Sequence, residues 1–241
     1  MGGIFIWFNQ KIGELRSRPN FKYLLSTFVL IGLLIICNIA FPATAGWPRL
    51  IWNIFGYLGL YIIFRFSGLK FEDIGLAPKY YKKGLLYTSV IILVISTLLI
   101  SAYLIDSQIF HDQRYKQSLG TAFFAVVILL PLKTVFFEEL AFRGLLPSLL
   151  FKSTTKRNTI FLSSLAFGLW HVSSSFRVGD YNFMGVNVPG FIFMLTAVSA
   201  TSFAGYLFLQ MRLRSKSLLA PIAVHWFING SAIILASLSW S

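Results

Sequence analysis

Glu138 and Glu139 stand side by side in the stretch VFFEELAFRGLL, residues 135–146, with Arg143 a few positions on. His171, His225 and Asn229 lie in runs almost as apolar. A carboxylate, guanidinium or imidazole at membrane depth costs several kcal/mol or more unless it is paired, and such groups usually face a cavity or a bundle interior. The set is selective. Of eight acidic residues, Glu14, Glu72, Asp73, Asp106, Asp112 and Asp180 fall in predicted loops or helix ends, so Glu138 and Glu139 alone sit at depth. Of three histidines, His111 falls in a loop.

Hydrolysis of a peptide bond needs an activated water, a stabiliser for the developing oxyanion and a proton for the leaving amine. A glutamate in an apolar chamber suits the role of general base, and a histidine beside it can hold the same water or pass on the proton. His225 and Asn229 can donate hydrogen bonds to an oxyanion. The competing assignment is a metal. His171, His225 and Glu138 make the two-histidine, one-carboxylate set typical of catalytic zinc sites, and ligand identity alone leaves both chemistries open. Simpler roles exist for each part: a Glu–Arg pair can be a structural clamp, and a lone histidine in a span can bond a neighbouring helix. The clamp is the expected role of Glu139 with Arg143.

Helix geometry sorts the residues. Adjacent positions point about 100° apart, whereas positions four apart share a face. Glu139 therefore aligns with Arg143, and Glu138 faces elsewhere. By the same rule Phe167 stacks one turn from His171, and His225 one turn from Asn229.

The elements that must position these groups are membrane helices. The chain of 241 residues is 56% hydrophobic and only 12% charged, with a mean hydropathy of +0.73, far more apolar than an ordinary soluble domain. Apolar runs near 21–41, 47–66, 84–105, 119–146, 159–176, 188–211 and 217–238 predict about seven spans, within a range of six to eight. The fourth exceeds what a bilayer requires and the fifth is short, so each is expected to hold a kink or tilt. The runs lack the dyad alternation of barrel strands. The expected fold is an all-α, polytopic transmembrane helical bundle, one integral membrane domain over 1–241 with its motif-bearing core at 119–238.

The net charge of +13 is spread in short clusters between apolar runs, a topology signal and not a nucleic-acid face. Lys11, Arg16, Arg18 and Lys22 precede the first span, and Arg65, Lys70, Lys79, Lys82 and Lys83 follow the second. Lys152, Lys156 and Arg157 follow the fourth, and Arg212, Arg214 and Lys216 the sixth; the other side holds only Arg49, Arg114, Lys116 and Arg177. The positive-inside rule then puts the N-terminus in the cytoplasm of a cell or endoplasmic-reticulum-type membrane. In MGGIFIWF the apolar residues precede the charged ones, the reverse of a secretory signal peptide. Cys37 is alone, so neither a disulfide framework nor a cysteine cage is expected. On this topology Glu138 and His171 each lie roughly 18 Å, and His225 roughly 12 Å, from the inner ends of their spans. Comparable depth makes one chamber in the cytoplasmic half of the membrane the expectation for Glu138, His171, His225 and Asn229.

Three motifs now stand in order: Glu138-Glu139-Leu140-Ala141-Phe142-Arg143, Phe167-Gly168-Leu169-Trp170-His171 and His225-Trp226-Phe227-Ile228-Asn229. They match EExxxR, FxxxH and HxxxN of the CPBP membrane proteases, the CAAX-protease and bacteriocin-processing or Abi family, which the chain resembles. FEDIGL at 71–76 resembles the family's lead-in. The resemblance implies that Glu138 and His171 activate water and that His225 and Asn229 form the oxyanion hole, with Glu139, Arg143 and Phe167 in support. It implies a glutamate mechanism with no cofactor, zinc being the alternative. In the branch of type II CAAX endopeptidases, it implies removal of a C-terminal tripeptide from a prenylated protein at a chamber open to the cytoplasm. The partners so implied are a peptide or prenylated-protein substrate and membrane lipid. That branch has eight spans, and this chain ends twelve residues after Asn229, a departure from the branch. No HExxH, GxGD or rhomboid-type GxSG is present. The alternatives to an enzyme are a non-catalytic scaffold or regulator of the same fold, and a small transporter, against which the lack of an inverted repeat counts.

Overall fold

The computed structural model describes residues 20–43, 46–176, 181–183 and 186–240. Lys11, Glu14, Arg16, Arg18, Arg177 and Asp180, and the MGGIFIWF stretch, lie outside the described residues. The elements are α1 (Phe21–Ala43), α2 (Gly46–Ser67), α3 (Tyr81–Ile105), α4 (Leu119–Phe151), α5 (Lys156–Trp170), α6 (Val172–Phe176), β1 (Tyr181–Phe183), β2 (Val186–Val188), α7 (Gly190–Ser215) and α8 (Leu219–Ser239). In lipid a backbone must satisfy its own polar groups, which long helices do without outside help. Among the described residues six helices are long and apolar enough to cross a membrane, so the fold is an all-α polytopic bundle. The fifth predicted run instead gives the 15-residue α5, ending at Trp170, and the short α6. A two-stranded antiparallel hairpin pairs Tyr181 with Val188 and Phe183 with Val186; strands of three residues are too short to carry a readable alternation.

Helix starts follow capping chemistry. The Ser118 hydroxyl accepts from the Thr121 N–H at 3.3 Å at the start of α4, and the Thr155 hydroxyl accepts from the Asn158 N–H at 3.3 Å at the start of α5. The long fourth span is irregular, as expected: π-helical turns at Ala125–Leu129, Pro131–Val135 and Leu140–Leu145 interrupt its α-helix. Prolines are the cause on its own strand of backbone. Pro131 and Pro147 cannot donate to the carbonyls four residues back, and the ladder shifts around those gaps.

The chain clusters into two compact units, Met1–Leu69 with Leu145–Gly205, and Lys70–Gly144 with Tyr206–Ser241. In the first, α1 packs along α2 and against the end of α4, and α5 packs closely on α7. A Cβ at Gly168 would lie 1.9 Å from the Ser202 hydroxyl and 2.7 Å from the Val198 carbonyl, and one at Gly205 would lie 3.2 Å from the Phe167 ring. Small residues let membrane helices approach this far.

In the second unit α3 and α4 pack on α8 around Ala122, Val126 and Ile233. The Trp226 indole N–H donates to the Val126 carbonyl at 2.8 Å, a group lying in a π turn of α4. The corner between α7 and α8 turns at Lys216, whose φ of 60° is left-handed, and the Ser217 N–H donates to the Ser215 hydroxyl across it. The loop before α4 clasps the far end of α8: the His111 ring stacks on Trp240 at 4.3 Å and bonds the Ser239 carbonyl. In that loop Arg114 donates to Asp112, which holds the Asp112 carboxyl below the ordinary carboxylate range.

Gly168→Val is expected to destabilise the first unit by about 1–3 kcal/mol through overpacking. Thermal unfolding in detergent checks this, and an unchanged midpoint would contradict the close α5–α7 contact.

Candidate active site

Glu139 is fully buried, Arg143 is 1% exposed, and Glu138 and His225 are 6% exposed each. All four belong to the second unit, on α4 and α8. The Arg143 guanidinium donates to Glu139 Oε1 at 2.8 Å, the one-turn pairing that helix geometry requires. Glu139 does more than neutralise it. The same Oε1 meets His225 Nδ1 at 2.7 Å, and His225 Nε2 lies 3.9 Å from Glu138 Oε2. One carboxylate oxygen thus joins α4 to α8 and turns the other ring nitrogen toward the neighbouring glutamate.

The partner assigns the tautomer. A carboxylate accepts, so Nδ1 of His225 carries the proton given to Glu139, and in a neutral ring Nε2 then holds the lone pair. A proton on Nε2 would turn it from an acceptor into a donor. Phe208 completes the arrangement from α7: its ring lies 5.5 Å from the His225 ring, and the Arg143 guanidinium sits 5.0 Å over its face. Asn229, one turn beyond His225, is half-buried.

His171 belongs to the first unit. It was expected inside a continuous span, but α5 ends at Trp170 and His171 occupies the turn before α6. The last turn tightens, with the His171 N–H donating to the Gly168 carbonyl at 2.9 Å. The Trp170 carbonyl is taken by the Asn38 side chain of α1 at 2.6 Å, and Phe41 meets the Trp170 ring edge-on at 6.3 Å. Phe167 serves His171 as its spacing predicts. Their rings lie 4.7 Å apart at 72°, and the Phe167 carbonyl lies 2.8 Å from His171 Nδ1. A carbonyl only accepts, so Nδ1 carries the proton and Nε2 of the neutral ring is the basic nitrogen.

Asn38 and Phe208, which touch Trp170 and His225, belong to none of the three motifs. An amide in the first apolar run was the available signal for Asn38. Phe208 gave none, being one of 25 phenylalanines. Among the described residues no three or more His, Cys, Asp or Glu side chains gather as a metal-ligating set.

A buried acid–histidine–arginine cluster in a membrane-spanning helical bundle defines a class of intramembrane chemistry, and comparison with known proteins narrows it. Residues 118–231 match the family described as type II CAAX prenyl endopeptidase Rce1-like. The matched residues, just under half of the chain, carry an Rce1-like family match, which supports a CAAX-type intramembrane protease at family level. The matched stretch contains all three motifs. Neither a curated protein nor a solved structure matches the chain.

Breaking the buried pair tests its energetics. Arg143→Met is expected to cost about 3–5 kcal/mol by leaving Glu139 without its guanidinium. The double variant Arg143→Met/Glu139→Gln should recover much of that in thermal unfolding, whereas strictly additive losses would contradict the coupling.

Proposed function

We propose that the chain is an intramembrane endopeptidase whose catalytic residues are Glu138, His171, His225 and Asn229, supported by Glu139, Arg143 and Phe167. The single observation that carries this reading is the Glu139 bond to Nδ1 of His225, which leaves Nε2 facing Glu138 in a buried site. In the proposed reaction, Glu138 takes a proton from a water that His171 also holds, as the water oxygen attacks the scissile carbonyl carbon. The oxyanion accepts hydrogen bonds from protonated His225 Nε2–H and from the Asn229 amide. The carbon–nitrogen bond then breaks, and the proton held by the base passes to the leaving amine. Glu139 balances the charge on His225 during the step. Burial of the cluster makes these interactions strong, because no water competes for them.

The substrate in this reading is a peptide whose cleavage removes a C-terminal tripeptide from a prenylated CAAX protein, or a related processing cleavage. Support comes from the three complete motifs and the family match at 118–231. The proposed setting is a cell or endoplasmic-reticulum-type membrane, with the N-terminus and the site's opening on the cytoplasmic side, as the loop charges suggest. No cofactor enters the reaction.

The test is cleavage of a farnesylated CAAX peptide against an unprenylated leader peptide, with and without chelator. Glu138→Ala, His171→Ala and His225→Ala are each expected to lower the rate at least about 10³-fold while the protein still inserts in membranes. Full activity in any of the three would overturn the assignment of that residue. Activity lost to chelator and restored by zinc would favour a metal on Glu138, His171 and His225. An unchanged cellular phenotype in all three would favour a non-catalytic scaffold or regulator.

A further inference from the structure

Residues 70–77, between α2 and α3, form a strap whose shape is set from within. The Asp73 carboxylate accepts from the Lys70 N–H at 2.7 Å, the Leu76 N–H donates to the Phe71 carbonyl at 2.7 Å, and Gly75 takes a φ of 82°. Ile74 is buried. The strap is then tied to the α7–α8 corner at two points. The Leu218 N–H donates to the Gly75 carbonyl at 2.7 Å, and the Arg212 guanidinium of α7 donates to the Asp73 carbonyl. Arg212 is itself only 8% exposed.

The strap also touches α4 one residue from the site. A Cβ on Gly144 would lie 3.7 Å from Ile74 Cβ and 3.7 Å from Leu218 Cδ2, so α4, the strap and the start of α8 meet beside Arg143. From Leu218 to His225 is two helical turns, roughly 10 Å. Sliding α8 along α4 at this point would pull His225 Nδ1 off Glu139 Oε1, a bond 2.7 Å long. Arg212 also shares a face of α7 with Phe208, one turn earlier, whose ring lies against His225.

We propose that Arg212 is a positioning residue: by bonding the Asp73 carbonyl it holds strap 70–77 in the α7–α8 corner, and the strap sets the axial register in which His225 meets Glu139. The activity arm of the test rests on the protease reading, and the cross-linking arm does not. Ile74→Cys/Gly144→Cys places two Cβ atoms at 3.7 Å, within disulfide range, in the full chain in detergent. The pair should cross-link on mild oxidation, and adding Arg212→Met should slow cross-linking at least about fivefold.

On the farnesylated peptide, Arg212→Met should lower kcat about 10- to 100-fold with KM within about twofold, the scale of a misplacement near 1 Å. Arg212→Lys, which keeps charge and donor but not the fork, should recover part of it, and it replaces the Met variant if that one fails to fold. Oxidising the cysteine pair in the Arg212→Met background should restore kcat, and reduction should remove it again. Cross-linking at the parental rate in Arg212→Met, or a kcat loss that the cross-link does not reverse, overturns the proposal. If the parent cleaves no peptide, the protease reading fails while the cross-linking rates still decide the clamp.

Discussion

One carboxylate oxygen carries much of the second unit. Glu139 Oε1 receives Arg143 from its own helix and His225 from α8, at 2.8 and 2.7 Å. Bringing ions out of water costs several kcal/mol each, and only good geometry repays it. The arrangement therefore demands that α4, α8 and the Phe208 region of α7 hold their places closely, since a displaced partner leaves an uncompensated buried charge. The pair that makes Arg143 tolerable in an apolar helix also fixes the tautomer of His225.

The surrounding structure answers that demand by locking helices at specific points. Trp226 bonds a carbonyl in a π turn of α4, and the Gly230 position has room for no Cβ, which would meet Val126 Cγ1 at 2.8 Å. Trp226 directly follows His225 along α8, and Gly230 directly follows Asn229. At the other end, the left-handed Lys216 and the Gly75 carbonyl bond to Leu218 define where α8 starts. Prolines in α4 trade regular hydrogen bonding for helix turns of altered pitch, and Glu138 and Glu139 occupy the short α-helical piece Phe136–Glu139 between two such turns. Such interruptions recur at functional sites because they re-aim side chains without ending the helix.

The first unit prepares its histidine differently. His171 stands at a helix end, fixed by its own backbone neighbour Phe167 and by the Asn38 amide that caps Trp170. The glycine contacts of α5 with α7 keep this helix from shifting under a load carried by one side chain.

The amino-acid sequence by itself determined the membrane class, the positions of the long helices, the irregularity of the fourth, and the pairing of Glu139 with Arg143 and of Phe167 with His171. These depend on hydropathy and on spacing along one helix, which are local. It also supplied three motifs whose family the match over 118–231 bears out. Tertiary structure alone decided that Glu139 reaches His225, 86 residues away, that Phe208 lies against that ring, and that Asn38 closes the end of α5. It also ended α5 at Trp170, where a hydropathy window had run on to 176. The reason is physical: which helix face meets which neighbour depends on crossings and register that no single segment encodes, and a buried bond between distant residues leaves no trace in the spacing of either.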